Sequence, residues 1–142
     1  MEVNVYLNFP GTTEEAFNFY KSVFGGEFTA LMRMETAPDG GKLPEHIQGK
    51  IMHIALPLGK NLILMATDSF EEMGHKSVPG NNFTLSISPG NEEEMYRVFN
   101  ALAEGGKIGA PLEKMFWGAY WGMLFDKFGI QWMVNYDPNQ PK

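Results

Sequence analysis

The sequence predicts an α+β fold built from two βαβββ modules, and three observations predict it. The chain repeats itself: Phe9-Pro10-Gly11-Thr12-Thr13-Glu14-Glu15 returns as Ser88-Pro89-Gly90-Asn91-Glu92-Glu93-Glu94, about 80 residues later. A strand-like alternation of apolar and polar residues precedes each copy, and a helical stripe follows it. Each stripe then ends on a glycine pair, Gly25-Gly26 and Gly105-Gly106, suited to a left-handed cap where a Cβ would clash. Two such modules side by side are expected to curl into an open eight-stranded, barrel-like sheet with the helices outside. That arrangement covers strand edges that would otherwise pair with other chains.

Val3, Val5, Leu7 and Phe9 alternate with Asn4, Tyr6 and Asn8, the period of a half-buried strand. Thr12 and Glu15 stand at capping-box spacing, so Thr12 is expected to cap a helix carrying Ala16, Phe17, Tyr20 and Phe24 on one stripe. A strand is expected from Glu27 to Glu35. Thr36 to Gln48, with two prolines and Gly40-Gly41, reads as a long mobile loop. Lys50–Pro57 and Asn61–Ala66 read as a hairpin about Leu58-Gly59-Lys60, and Thr67 to Asn81 joins the halves.

In the second half Phe83, Leu85 and Ile87 alternate with Thr84, Ser86 and Ser88. Asn91 is the expected cap, with Glu94 at its N3 position. Met95, Val98, Phe99 and Leu102 form the helical stripe. A strand near Lys107–Glu113 follows, then a hairpin of Tyr120–Phe125 with Ile130–Tyr136 about Asp126-Lys127-Phe128-Gly129. The expectation is a single domain over 1–142, with repeats of about 1–68 and 80–138.

At 142 residues the chain buries enough surface to fold without a disulfide or metal staple. It has no cysteine, which fits a reducing cytoplasm and removes thiolate chemistry. The start, Met1-Glu2-Val3-Asn4-Val5, does not resemble a signal peptide, and no run is long enough to cross a bilayer. A net charge of −6 without a basic patch argues against nucleic acid and anionic lipid as partners. Part of the 11 Phe, 5 Tyr, 3 Trp and 10 Met must fill a core, and the content also suits an adaptable apolar cavity.

The twofold βαβββ order resembles the vicinal oxygen chelate superfamily of glyoxalase I, extradiol dioxygenases and bleomycin-resistance proteins. Its PhnB-like branch is similar to this chain at Glu14-Glu15-Ala16-Phe17-Asn18-Phe19-Tyr20 and Phe24-Gly25-Gly26-Glu27. The likeness continues at His53, Leu64-Met65-Ala66-Thr67-Asp68, Phe116-Trp117-Gly118, Asp126-Lys127-Phe128-Gly129 and Trp132-Met133-Val134-Asn135. The resemblance implies the glyoxalase/bleomycin-resistance fold and a homodimer. Branch members are sometimes labelled demethylubiquinone methyltransferases, but no strand here runs into a glycine-rich turn with an acidic ribose ligand.

Metal enzymes of that superfamily carry ligands on the first and last strand of each half. Carried onto this chain, those positions fall at or beside Val5, Leu64, Phe83 and Met133, all apolar. A slip of one residue offers Tyr6, Thr84 or Trp132, still without His or carboxylate. No cofactor is therefore expected, and the leading reading is a metal-free binder of an apolar or aromatic molecule. The competing reading is a lyase, isomerase or oxygenase that uses a rearranged divalent-metal site or His53 as a base.

His53 is either a pocket-facing donor or base, or a histidine hydrogen-bonded in the sheet wall. Phe116, Trp117, Tyr120, Trp121 and Trp132 either wall a cavity with Met65, or fill the core and a dimer seam. Asn8 and Asn135 are candidate pocket hydrogen-bonders or strand-end satisfiers. Asp68 reads as a loop-entry cap, or as a partner for a cation or a ligand amine, and Asp126 as a turn former. His46 and His75 read as solvated. Glu14, Glu15, Glu92, Glu93 and Glu94 crowd helix starts, where the macrodipole favours carboxylates.

Overall fold

Alternating strands and striped helices need each other's apolar faces, and the chain meets that need twice. The computed structural model describes residues 1–140, and these group into two compact units, Met1–Val78 and a second beginning at Pro79. Among the described residues no helix is long and apolar enough to cross a membrane.

In the first unit β1 (Val5–Phe9) leads to α1 (Thr13–Phe24), β2 (Ala30–Arg33), the short α2 (Glu45–Gln48), β3 (Ile51–Leu58) and β4 (Leu62–Asp68). The sheet order is β1-β4-β3-β2, with β1 parallel to β4 and the other pairs antiparallel. Leu7, Phe9, Ile54, Leu56, Leu64 and Ala66 are buried on the face that packs against α1. The helix answers with Ala16, Phe17, Tyr20 and Val23, so Val23 rather than Phe24 closes the buried stripe. Phe17 meets Phe9 edge-on at 6.5 Å and Tyr20 at 5.6 Å. Each large side chain hidden this way contributes about 1.5–3 kcal/mol.

The first capping box does not form. Thr12 makes no side-chain cap bond. Asp68, at the end of β4, replaces it: Oδ1 accepts from Thr13 N at 2.9 Å and Oδ2 from Ile51 N at 2.7 Å. A carboxylate offers two separate acceptor oxygens and a charge that the helix N-terminus favours, where a hydroxyl offers one oxygen and no charge.

The strand expected from Glu27 to Glu35 shortens to Ala30–Arg33, and the expected loop 36–48 is organised. Met34–Thr36 and Gly40–Lys42 form 3-10 turns before α2. Ile47 is fully buried and Met34 nearly so, which gives the segment its own apolar anchor. Gly40 permits the close turn, because a Cβ there would strike the Met34 carbonyl.

The second unit runs β5 (Leu85–Ile87), α3 (Glu92–Ala103), β6 (Lys107–Lys114), β7 (Tyr120–Phe125) and β8 (Gln131–Tyr136). Its order, β5-β8-β7-β6, repeats the first unit's topology. Here the expected cap forms: Asn91 Oδ1 accepts from Glu94 N at 2.8 Å, while Glu94 Oε1 reaches one residue past the cap to accept from Gly90 N at 3.2 Å. Met95, Val98, Phe99 and Leu102 are buried, as the stripe requires. Gly122 lets α3 and β6 approach β7, since a Cβ would lie 2.8 Å from Leu112 Cα and 2.9 Å from Phe99 Cε2.

The two caps generate a contrast. Asp68→Ala strands two buried amides and is expected to lower unfolding free energy by roughly 3 kcal/mol in urea titration. Asn91→Ala should cost about 1 kcal/mol. Thr12→Ala should stay within about 0.5 kcal/mol of the parent, and a larger loss would show that Thr12 caps after all.

Candidate functional site

Strand alternation sends every second residue of the first sheet away from α1. On that far face lie Tyr6 and Asn8 of β1, Met65 and Thr67 of β4, His53 of β3 and Met32 of β2. Their register pairs are Tyr6 with Met65, Asn8 with Thr67, and Met32 with His53. Tyr6 Oη lies 2.9 Å from His53 Nδ1, and the two rings stack at 5.6 Å with 23° between planes. Because β4 separates β1 from β3, the phenol crosses roughly 10 Å of sheet to reach the imidazole. Burial pushes the Tyr6 hydroxyl's pKa up. Asn8 Oδ1 accepts from Ser69 Oγ at 3.3 Å.

A bulge in β3 makes this face possible. Arg33 pairs with Ile51 while Met32 pairs with His53, so Met52 is the extra residue. Without it Ile51 and His53, two residues apart, would share a face. With it Ile51 is fully buried and His53 points away from α1. Arg33 turns toward α1 and grips Glu14 with both terminal nitrogens, at 3.0 and 2.7 Å. Glu14, assigned by sequence to the macrodipole alone, is therefore also an ion-pair partner, and the Arg33 hydrogen bond holds its carboxyl below the usual range.

In the second unit Trp121, Met123 and Phe125 of β7 face away from α3, opposite Asn135, Met133 and Gln131 of β8. Gln131 Oε1 is buried there and meets no partner among the described residues. Tyr120 and Trp132 lie on the other side. Trp132 is 2 % exposed and its Nε1 donates to Asp126 Oδ2 at 2.9 Å. Tyr120 sits 6.5 Å from Tyr96 of α3. Phe116 and Trp117 occupy the β6–β7 connection as an edge-to-face pair at 4.8 Å, 97 % and 58 % exposed. The aromatics grouped by sequence proximity thus separate into three places, because neighbours on a strand point oppositely. Asp126 forms its expected turn, Oδ1 accepting from Phe128 N and Ile130 N.

The four positions taken from the metal enzymes do not share an orientation. Val5 and Leu64 are register partners, and Leu64 is fully buried on the α1 side. Met133 faces away from α3, and Phe83 precedes β5. The face of the first sheet away from α1 offers one imidazole, a phenol, a carboxamide, a hydroxyl and thioethers, since Asp68 of β4 turns toward α1; the far face of the second sheet adds Glu113, the register partner of Trp121. Among the described residues no three His, Cys, Asp or Glu gather closely enough to hold an ion. Such a donor set does not fit a hard divalent metal.

A cleft of about 420 Å³ opens at the start of α1, lined by Gly11, Glu14, Asn18, His46, Lys50 and Asp68 among others. Most of its polar groups are spent on structure. Lys50 Nζ donates to Gly11 O at 3.0 Å, His46 pairs with Glu72 at 2.6 Å, and Asp68 caps α1. His46, expected to be solvated, therefore has a partner although it stays exposed. The far face of the first sheet is the better candidate. Sequence reasoning found His53, Met65 and Asn8 there but missed Tyr6 as the partner of His53; its signal was a tyrosine on the polar phase of the first strand.

A family model described as 3-demethylubiquinone-9 3-methyltransferase matches residues 1–135. The chain is 28 % identical to protein YjdN of Escherichia coli K12, covering 99 % of each. Among solved structures it is similar to protein PA1353 of Pseudomonas aeruginosa, at 35 % identity and TM-score 0.83, over 96 % of this chain and 98 % of that one. It is also similar to a Bacillus cereus PhnB protein called a putative 3-demethylubiquinone-9 3-methyltransferase, at 28 % identity and TM-score 0.77, over 96 % and 99 %. A glyoxalase/bleomycin resistance protein/dioxygenase family enzyme of Burkholderia phytofirmans PsJN shares the fold, at 17 % identity and TM-score 0.58, over 95 % of each.

The Glu14–Arg33 pair predicts part of the acid response. Its carboxyl titrates lower in the folded chain than in the unfolded chain, so between those two values the unfolded chain binds more protons. The contribution is present above the unfolded carboxyl range and is lost as pH falls through the folded value. Both side chains are more than a third exposed, so the screened pair is worth at most about 0.5 kcal/mol. Arg33→Met should flatten that part of the acid limb in urea titrations from neutral pH to pH ~3.

Proposed function

The chain belongs to the 3-demethylubiquinone-9 3-methyltransferase family, the PhnB-like branch of the glyoxalase/bleomycin-resistance/dioxygenase superfamily, and from that premise we propose that it binds a small apolar or aromatic molecule without a metal. The observation that carries this reading is the far face of the first sheet. There Met32 and Met65 flank a Tyr6–His53 pair with Asn8 and Thr67 alongside, an apolar surface with a few convergent polar groups. Thioethers adapt to varied ring shapes, and the polar groups orient what binds. The corresponding face of the second unit, with Trp121, Met123 and Phe125, supports the same chemistry.

Methyl transfer, named in the family's description, is not the route proposed. β1 runs into Pro10-Gly11-Thr12 rather than a glycine-rich turn, and the first amide of α1 is already taken by Asp68. A nucleoside cofactor's anionic end would find that helix start occupied. Cytoplasmic residence and a homodimer complete the reading. The exposed Phe116–Trp117 pair is the apolar surface in the second unit that a second copy would most reduce.

Thermal denaturation against a panel of uncharged mono- and bicyclic aromatics tests the reading. At a concentration near 100 times Kd a true ligand adds about 2.7 kcal/mol of stability, an easily read rise in Tm. Met65→Lys, which puts a charge on the face, should abolish the rise. A panel without effect on Tm would sink the reading. So would elemental analysis of chelator-free protein showing a stoichiometric divalent metal that disappears in His53→Ala, which would favour the enzyme reading.

A further inference from the structure

We propose that His53 Nε2 donates to an acceptor oxygen, carbonyl or carboxylate, on a small aromatic ligand, with Tyr6 as the positioning residue and Asn8, two strands away on the same face, as a second donor. This rests on the far face of the first sheet being the ligand surface. Tyr6 Oη and His53 Nδ1 are 2.9 Å apart, so one shared proton decides the imidazole's tautomer. A phenol, protonated at neutral pH, is a strong donor, and an imidazole nitrogen is a strong acceptor. The Tyr6 proton therefore engages the Nδ1 lone pair, and the ring's own proton sits on Nε2.

Among the described residues no acceptor meets that Nε2–H. Asn8 has its carboxamide oxygen engaged by Ser69 Oγ, so it presents its NH2. His53 Nε2–H and the Asn8 NH2 are thus the two groups left wholly unpaired by those bonds, and both are donors. An amine ligand would find only the remaining lone pairs of Tyr6 Oη and Asn8 Oδ1, both oxygens already engaged once, and a cation no carboxylate. An acceptor oxygen meets matching donors, while the thioethers of Met32 and Met65, register neighbours of His53 and Tyr6, receive the ring. The same tautomer disfavours His53 Nε2 as a general base, because its lone pair carries a proton.

Long-range 1H–15N spectra of the labelled full chain read the tautomer, with His53 assigned through His53→Gln. Titration with benzamide and benzoate follows, with toluene as the acceptor-free control. The Nε2–H tautomer is expected in the parent, and a mixture in Tyr6→Phe whose fold is verified by circular dichroism. At least one oxygen probe should shift Nε2 and bind more tightly than toluene. Tyr6→Phe should weaken that probe about fivefold, the worth of one neutral hydrogen bond, and leave toluene unchanged. The stronger oxygen probe tells carbonyl from carboxylate. An Nδ1–H tautomer in the parent, or toluene binding as tightly as both oxygen probes, would overturn the proposal while the apolar-surface reading stands. Failure of all three probes to bind would overturn both.

Discussion

One buried carboxylate organises the first unit. Asp68 is 4 % exposed, and each of its oxygens accepts a backbone amide from a different element, Thr13 at the start of α1 and Ile51 at the start of β3. Its register partner is Phe9, whose carbonyl accepts from both Ser69 N and Gly11 N, so the end of β1 is drawn into the same knot. Removing a charge from water is costly, and the two amide bonds offset much of that cost. The knot holds Ile51 in the core, and the adjacent bulge at Met52 then turns His53 outward from α1. Helix onset, strand register and the candidate site thus share one anchor.

The second unit solves the same helix start differently. Asn91 caps α3 from three residues away, and no strand-end carboxylate is needed. Its own buried carboxylate, Asp126, instead closes the β7–β8 turn and accepts the Trp132 indole. Topology was kept between the halves while the polar anchors were redistributed. The chemistry of the two sheet faces differs accordingly: a phenol–imidazole pair with two methionines in one, a tryptophan and phenylalanine with two methionines in the other. A donor-rich, carboxylate-poor surface of the first kind suits the proposed recognition of a ligand by its acceptors rather than by its charge.

Much of this was legible in the residues themselves. Period-two alternation in Val3–Phe9 and the stripe Met95, Val98, Phe99 and Leu102 gave their elements almost to the residue, because burial on one face is a local pattern. Glycine pairs marked helix ends for an equally local reason. Thr12 misled, since capping-box spacing says what a hydroxyl is able to do and not whether a better acceptor arrives from elsewhere. Segment 36–48 misled as well: its prolines and glycines suggested looseness, while Ile47 had an apolar place to go that only the folded sheet provides.

The sequence by itself determined the repeat, the strand and helix order, the absence of thiol chemistry and the candidacy of His53, all of which depend on residue types and short spacings. Tertiary structure alone decided that Tyr6 partners His53 across β4, that Asp68 caps α1 over 55 residues of chain, and that Trp121 and Trp132 face opposite ways. Those outcomes hang on register and on a single bulged residue. One residue's slip in pairing exchanges the two faces of a strand, and nothing in a linear pattern records it.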